Sequence, residues 1–353
     1  MKVLKFSLFL ENKESDILPF YAFDWDDNIL IMPTVIHMEK KSGTEWIPVD
    51  VTTSKFAEIR NDENYRMLNN NINDTFGEFR DTGKRGDKSF VLDIEKAINY
   101  GSFGPSWNDF VECLTNGSAF AIITARGHES PTLRKGVEWI IDNVLTEEQL
   151  YEMFNNLVKY YHIFGKTDDF ERILKGRPSE NKLIKEYLDI CEFVAVSAPS
   201  RSGSALTPEE DKKKVLLDFK KKINDFAKSV NRKATIGFSD DDVKTVKHME
   251  DLVDSIDNEE FPNIVKYIIK GTKYPENITK KVRVVEEASH QSPGLESSVM
   301  PFRQFNNMKD RMFTNSDEYD KSIGLGSDQL AKMSKEYVKN NSRKKRKKRT
   351  LKK

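Results

Sequence analysis

Five short apolar runs constrain this chain most: 20–23, 119–123, 193–196, 235–238 and 282–285, each rich in β-branched or aromatic residues and separated by longer amphipathic stretches. Buried parallel strands have this composition because both of their faces are covered. Their alternation with helix-like segments predicts an α/β protein with a parallel sheet. Helical spacing recurs at 133–144, 147–161 and 168–188. It recurs again at 212–230, where Thr207-Pro208-Glu209-Glu210 supplies a first-turn proline and acids favoured by the helix dipole.

Two segments are too long for simple crossovers, because βα connections usually take only a handful of residues. The first, 31–118, opens with 34–40, a Ser42-Gly43 turn and 45–51, which predicts a β-hairpin. The second, 127–190, is mostly helical in pattern. From 288 onward periodicity gives way to Ser, Pro, Asn, Gln and scattered Met, which predicts a largely disordered tail with one helix near 327–338. The expected organisation is a core of 1–30 and 119–287 with a helical insertion at about 127–190, a cap or flap over 31–118, and the tail 288–353.

The charge balance of 57 basic and 57 acidic residues holds only through the tail. Residues 343–353 carry nine Lys or Arg and no acid, so 57 basic residues less these nine leave 48 against 57 acids on the rest. That cationic end suits contact with nucleic acid or another polyanion, an import address, or simply a solvated terminus. No run approaches the roughly 18–20 apolar residues of a membrane span, and the apolar start 3–10 is broken by Lys5 and closed by Glu11, against a signal peptide. Cys113 and Cys191 offer neither a disulfide framework nor a metal spacing, so a reducing, cytoplasmic setting is expected. The histidines lack zinc spacing, and His128 is expected at the surface.

The strand ends point to chemistry. The first run leads directly into Asp24-Trp25-Asp26-Asp27-Asn28, and ligands of open α/β sheets bind at the carboxyl ends of strands. Alternation can turn Asp24 and Asp26 toward one pocket, one as nucleophile and the other as acid/base, with a divalent cation screening their repulsion. A second run ends in Thr124-Ala125-Arg126-Gly127, where a hydroxyl and backbone amides can hold an anionic oxygen. The run 235–238 ends in Ser239-Asp240-Asp241-Asp242, hard oxygen donors suited to Mg²⁺. Between these two runs, Lys212-Lys213-Lys214 can supply an ammonium to the phosphate and carboxylates.

In this order the four elements resemble the haloacid dehalogenase (HAD) superfamily, chiefly its phosphatase-like members, over roughly residues 18–250. The resemblance implies a three-layer Rossmann-like parallel sheet with cap insertions and a Mg²⁺-dependent phosphohydrolase. Asp24 falls on the family nucleophile, Asp26 on the acid/base and Thr124 on the phosphate-holding hydroxyl, with Ala125 and Arg126 beside it in the substrate site. Asp240 and Asp241 fall on the metal-binding acids, joined by Asp24 and by a backbone carbonyl at Asp26. The family lysine lies within 212–214, and Lys213 is chosen. Two departures stand: Asn28 replaces the usual Thr or Val, and the triple acid leaves the metal register open by one position. The implied substrate is a phosphomonoester, either a small molecule or a nucleic-acid end. Trp46, Phe103 and Trp107 are candidates to stack on it, although a small core within 31–118 is the better expectation. The rival reading keeps the fold as a non-catalytic module that grips nucleic acid or another polyanion through 343–353.

Overall fold

The computed structural model describes residues 17–161, 174, 176–201, 207–229, 231–255, 260–272 and 280–284. The elements run β1 (Ile17–Phe23), β2 (Ile36–Ser42), β3 (Glu45–Val51), α1 (Thr53–Ile59), β4 (Tyr65–Met67), α2 (Ile72–Thr75), α3 (Lys88–Asn99) and α4 (Trp107–Thr115). They continue through β5 (Ala119–Thr124), α5 (Ser130–Asn143), α6 (Glu147–Tyr161), α7 (Lys182–Ile190), β6 (Glu192–Ala195), α8 (Pro208–Ser229), β7 (Lys233–Asp240), α9 (Val243–Ser255), β8 (Ile264–Gly271) and β9 (Lys280–Val284). The expected tail, with its helix near 327–338 and its basic run 343–353, lies outside the described residues.

The main sheet has the order β6-β5-β1-β7-β8-β9. Its first five strands are parallel, and β9 closes one edge antiparallel to β8. Counted in chain order, the parallel strands run 3-2-1-4-5, consistent with a Rossmann-like arrangement whose direction reverses beside the central β1. Alternation along β1 sends Ala22 to one face and Phe23 to the other. On the first face Ala22, Ala121, Ile236 and Phe238 pack with Val215, Leu216 and Phe219 of α8 and with Met249 of α9. On the second, Phe23 meets Phe110 of α4 edge-on at 5.6 Å, and Phe120 meets Tyr187 of α7 at 6.1 Å. Helices on both faces make three layers, and each fully buried large apolar side chain contributes about 1.5–3 kcal/mol.

A separate antiparallel sheet, β3-β2-β4, contains the hairpin expected at 34–51. Gly43 turns it with φ at 62°, a left-handed value that glycine adopts without strain. Ile36, Met38, Val51, Ile59 and Phe79 form its own small core. The later part of 31–118 behaves differently, since Phe90, Ile94, Phe110 and Leu114 of α3 and α4 are all fully buried. Trp46 lies under the Arg66 guanidinium at 4.3 Å, whereas Phe103 and Trp107 pair with each other at 4.9 Å.

Three sequence expectations change. As far as it is described, the run at 282–285, expected as a parallel strand, lies in β9, antiparallel to β8 at the sheet's edge. The strand β8 was not foreseen, because Ile264, Ile268 and Ile269, with lysines at 266 and 270, fit helical spacing as well as a strand. Helix 168–188 is interrupted where it is described: Pro178 opens a 3₁₀ turn, and the Asn181 side chain accepts from the Leu183 N–H to start α7 afresh. No helix of the described residues is long and apolar enough to cross a membrane.

Candidate active site

Register brings the strand ends together. Phe23 pairs with Ile122 on β5 and with Ser239 on β7, so Asp24 stands level with Asp240 and one residue short of Thr124. The Asp24 N–H donates to the Ser239 carbonyl at 3.0 Å, which carries the β1–β7 ladder one step past the strand. Beyond it the chain turns sharply, with Asp27 at φ 55°, and Trp25 packs into the second-face aromatics, 5.0 Å from Phe90. Asn28 locks this turn. Its buried amide donates to the carbonyls of Asp24 and Ser239 and to Ser239 Oγ, each at 3.1 Å, while its oxygen accepts from Thr272 Oγ1 at 2.9 Å. The sequence departure at this position is therefore a clamp between two strand ends.

Asp24, Asp240 and Asp241 present carboxylate oxygens that all lie within 4.8 Å of one another. Lys212 Nζ donates to Asp24 Oδ1 at 2.8 Å and to Asp240 Oδ2 at 3.1 Å. Burial pushes the Asp24 carboxyl well above the usual range, against the lowering effect of Lys212. Burial likewise raises Asp240, and together with the charge of Asp240 it raises Asp241 to about 7. Burial opposes the Lys212 ammonium too, but the two carboxylates outweigh it and hold the lysine charged. Three acids against one ammonium leave the cluster short of positive charge.

Lys213, the lysine chosen from sequence, is exposed, and Lys212 takes its place. On α8 the buried positions 212, 215, 216, 219, 223 and 227 share one face, so the apolar periodicity already selects 212 over its neighbours. The three neighbouring acids take different places. Asp240 is oriented by the Asp242 N–H at 2.8 Å, and Asp242 instead accepts from the Lys244 N–H at the start of α9. Asp26, whose backbone carbonyl is the part expected at the metal, has both carboxylate oxygens bonded by Arg126. Thr124 is buried at the β5 end and Ala125 is exposed beside it.

Arg126 was expected to touch substrate, yet it is 2% exposed and its guanidinium is occupied by protein groups. His128, expected at the surface, is fully buried and bonds Asp81 Oδ1 through Nδ1 at 3.0 Å. Burial, with Arg126 next, lowers its pKa to about 4. Neither contact had a local sequence signal, because the partners are far apart in the chain. The small sheet is tied to the same region: Thr53 and Ser54 hydroxyls donate to Asp27 Oδ2 at 2.7 and 2.9 Å, and Arg60 pairs with Glu209 at 2.9 Å.

No protein-family model, no curated protein and no solved structure matches this chain.

Proposed function

We propose that this protein is a HAD-type phosphohydrolase dependent on Mg²⁺, acting on phosphomonoesters. The observation that carries this reading is the buried Asp24 carboxylate at the end of the central strand, bonded to Lys212 and grouped with Asp240 and Asp241. The donor set fits the metal: three carboxylates with one ammonium lack a compensating cation, and hard oxygen ligands suit Mg²⁺. When bound by Asp24, Asp240 and Asp241, Mg²⁺ supplies charge compensation between nucleophile and phosphate.

In this reading an Asp24 oxygen attacks phosphorus in line as the ester P–O bond breaks, and Asp26 gives a proton to the departing oxygen. Asp26 then takes a proton from water, whose oxygen attacks the same phosphorus and releases Asp24. Lys212 and Thr124 hold the phosphoryl oxygens, and the small sheet, tied down through Asp27 and Glu209, limits water access. The buried free thiols Cys113 and Cys191 accord with a reducing, cytoplasmic setting.

The test is hydrolysis of an aryl phosphate with and without Mg²⁺, comparing wild type with Asp24→Asn. Metal-dependent turnover that vanishes in the variant supports the reading. Equal turnover in both proteins, or none in wild type across aryl, sugar and nucleotide phosphates, defeats it.

A further inference from the structure

Outside the carboxylate cluster, the Arg126 side chain is held by polar partners and by two aromatic rings. Its Nε donates to Asp26 Oδ2 at 2.8 Å and its Nη2 to Asp26 Oδ1 at 2.6 Å, a two-point grip that fixes the plane of that carboxylate. Nη2 also donates to Thr34 Oγ1 at 2.9 Å, and Nη1 lies 3.4 Å from His128 Nε2. The Phe79 and Phe90 rings lie against the guanidinium, with centroids 4.6 and 5.1 Å from its carbon.

Each of these partners is itself held. The Thr34 hydroxyl donates to Asp93 Oδ2 at 2.8 Å, and Asp93 is gripped by Arg85 at 2.6 Å. Asp81, the partner of His128, also accepts from the Glu129 N–H and from Thr132 Oγ1, both at 2.9 Å. With Nδ1–H given to Asp81, the neutral His128 ring turns an Nε2 lone pair to Arg126. The pair is lopsided: the Arg126 side chain is 1% exposed and that of Asp26 15%. The guanidinium is sealed, and the carboxylate is the open end of the network.

We propose that Arg126 is a positioning residue, fixing the Asp26 carboxylate for proton delivery to the leaving group, with Thr34 and the Asp81–His128 pair fixing Arg126 in turn. This rests on the phosphohydrolase reading and adds a residue that acts through Asp26, not on substrate. A purely structural tie between the small sheet and the core would explain the same bonds, so the test must separate the two. Proton delivery matters for a poor leaving group and little for an acidic one. A positioning role therefore predicts a selective loss, whereas a loosened fold penalises both alike.

The experiment measures kcat/KM, which reports the step that expels the leaving group, for an alkyl phosphate and for dinitrophenyl phosphate. The proteins are wild type, Asp26→Asn, Arg126→Gln, the double variant and Thr34→Val, with thermal melts on each. Displacing a catalytic group by an ångström can lower rate about 10²-fold. Arg126→Gln is therefore expected to lose about 10²-fold on the alkyl phosphate and under ~10-fold on the dinitrophenyl ester, the pattern expected of Asp26→Asn. The double variant is expected to lose no more than Asp26→Asn alone. Thr34→Val keeps both charges and is expected to show the same selectivity at smaller size, which carries the test if Arg126→Gln does not fold. Equal losses on both esters, additive losses in the double variant, or no loss overturns the proposal. A wild type lacking Asp24-dependent turnover would instead sink the phosphohydrolase reading and this inference with it.

Discussion

Replacing Lys212 with methionine, with Lys213→Met as its partner, tests the electrostatics of the site directly. Lys212 is 6% exposed and contacts two buried carboxylates at 2.8 and 3.1 Å. Methionine keeps much of the stem's volume but leaves Asp24 and Asp240 without a cation. Breaking a buried pair in this way costs about 3–5 kcal/mol. The magnitude depends on pH with a definite sign. Asp24 and Asp240 already have folded-state pKa values above the unfolded ones, so their ionisation removes stability as pH rises. Without Lys212 both rise further. The loss is therefore expected to be larger at pH 8 than near pH 4, where the carboxyls take up protons. At about 2–4 °C per kcal/mol for a chain this size, the melting temperature should fall by about 10 °C at pH 8. Lys213→Met, at an exposed position, should stay within about 0.5 kcal/mol of wild type. Thermal and urea unfolding at the two pH values provide the assay. A larger effect at Lys213, or a Lys212 loss that grows toward acid, would refute the reasoning.

Three further outcomes follow from the same geometry. With no divalent cation present, Asp241 at about 7 against an ordinary 3.8 should make stability fall as pH climbs from about 4 to about 7, and Mg²⁺ should reverse the fall; unfolding with Mg²⁺ or a chelator checks both. Asn28→Leu should lose about 2–4 kcal/mol in urea unfolding, because it strips donors from two strand ends and orphans the buried Thr272 hydroxyl; a loss below about 0.5 kcal/mol would remove the clamp. Gly104→Ala should destabilise by more than about 1 kcal/mol in the same assay, since its added Cβ would sit 2.4 Å from the Asn28 carbonyl oxygen, on the turn that carries the site.

The legible part of this protein is local. Short apolar runs at 20–23, 119–123, 193–196 and 235–238 became strands because their composition suits a surface buried on both sides, and Gly43 marked the hairpin through its backbone freedom. The start of α8 was visible from Pro208 and the acids after it, and the structure adds that the Thr207 and Glu210 side chains accept from each other's backbone N–H. The apolar spacing of α8 carried the identity of the site lysine, although the run of three lysines obscured it. Asp24, Asp240 and Asp241 stood at strand ends, and a parallel sheet must gather its carboxyl ends on one edge. Tertiary structure alone decided what joins residues far apart in the chain. Arg126 meets Asp26 across 100 positions, Asn28 meets Ser239 across 211, and His128 meets Asp81 across 47. Such pairs leave no periodic trace, because the partner of a buried charge or amide is set by sheet register and helix docking. Those depend on burying the whole apolar surface at once, and no short window of sequence contains that condition.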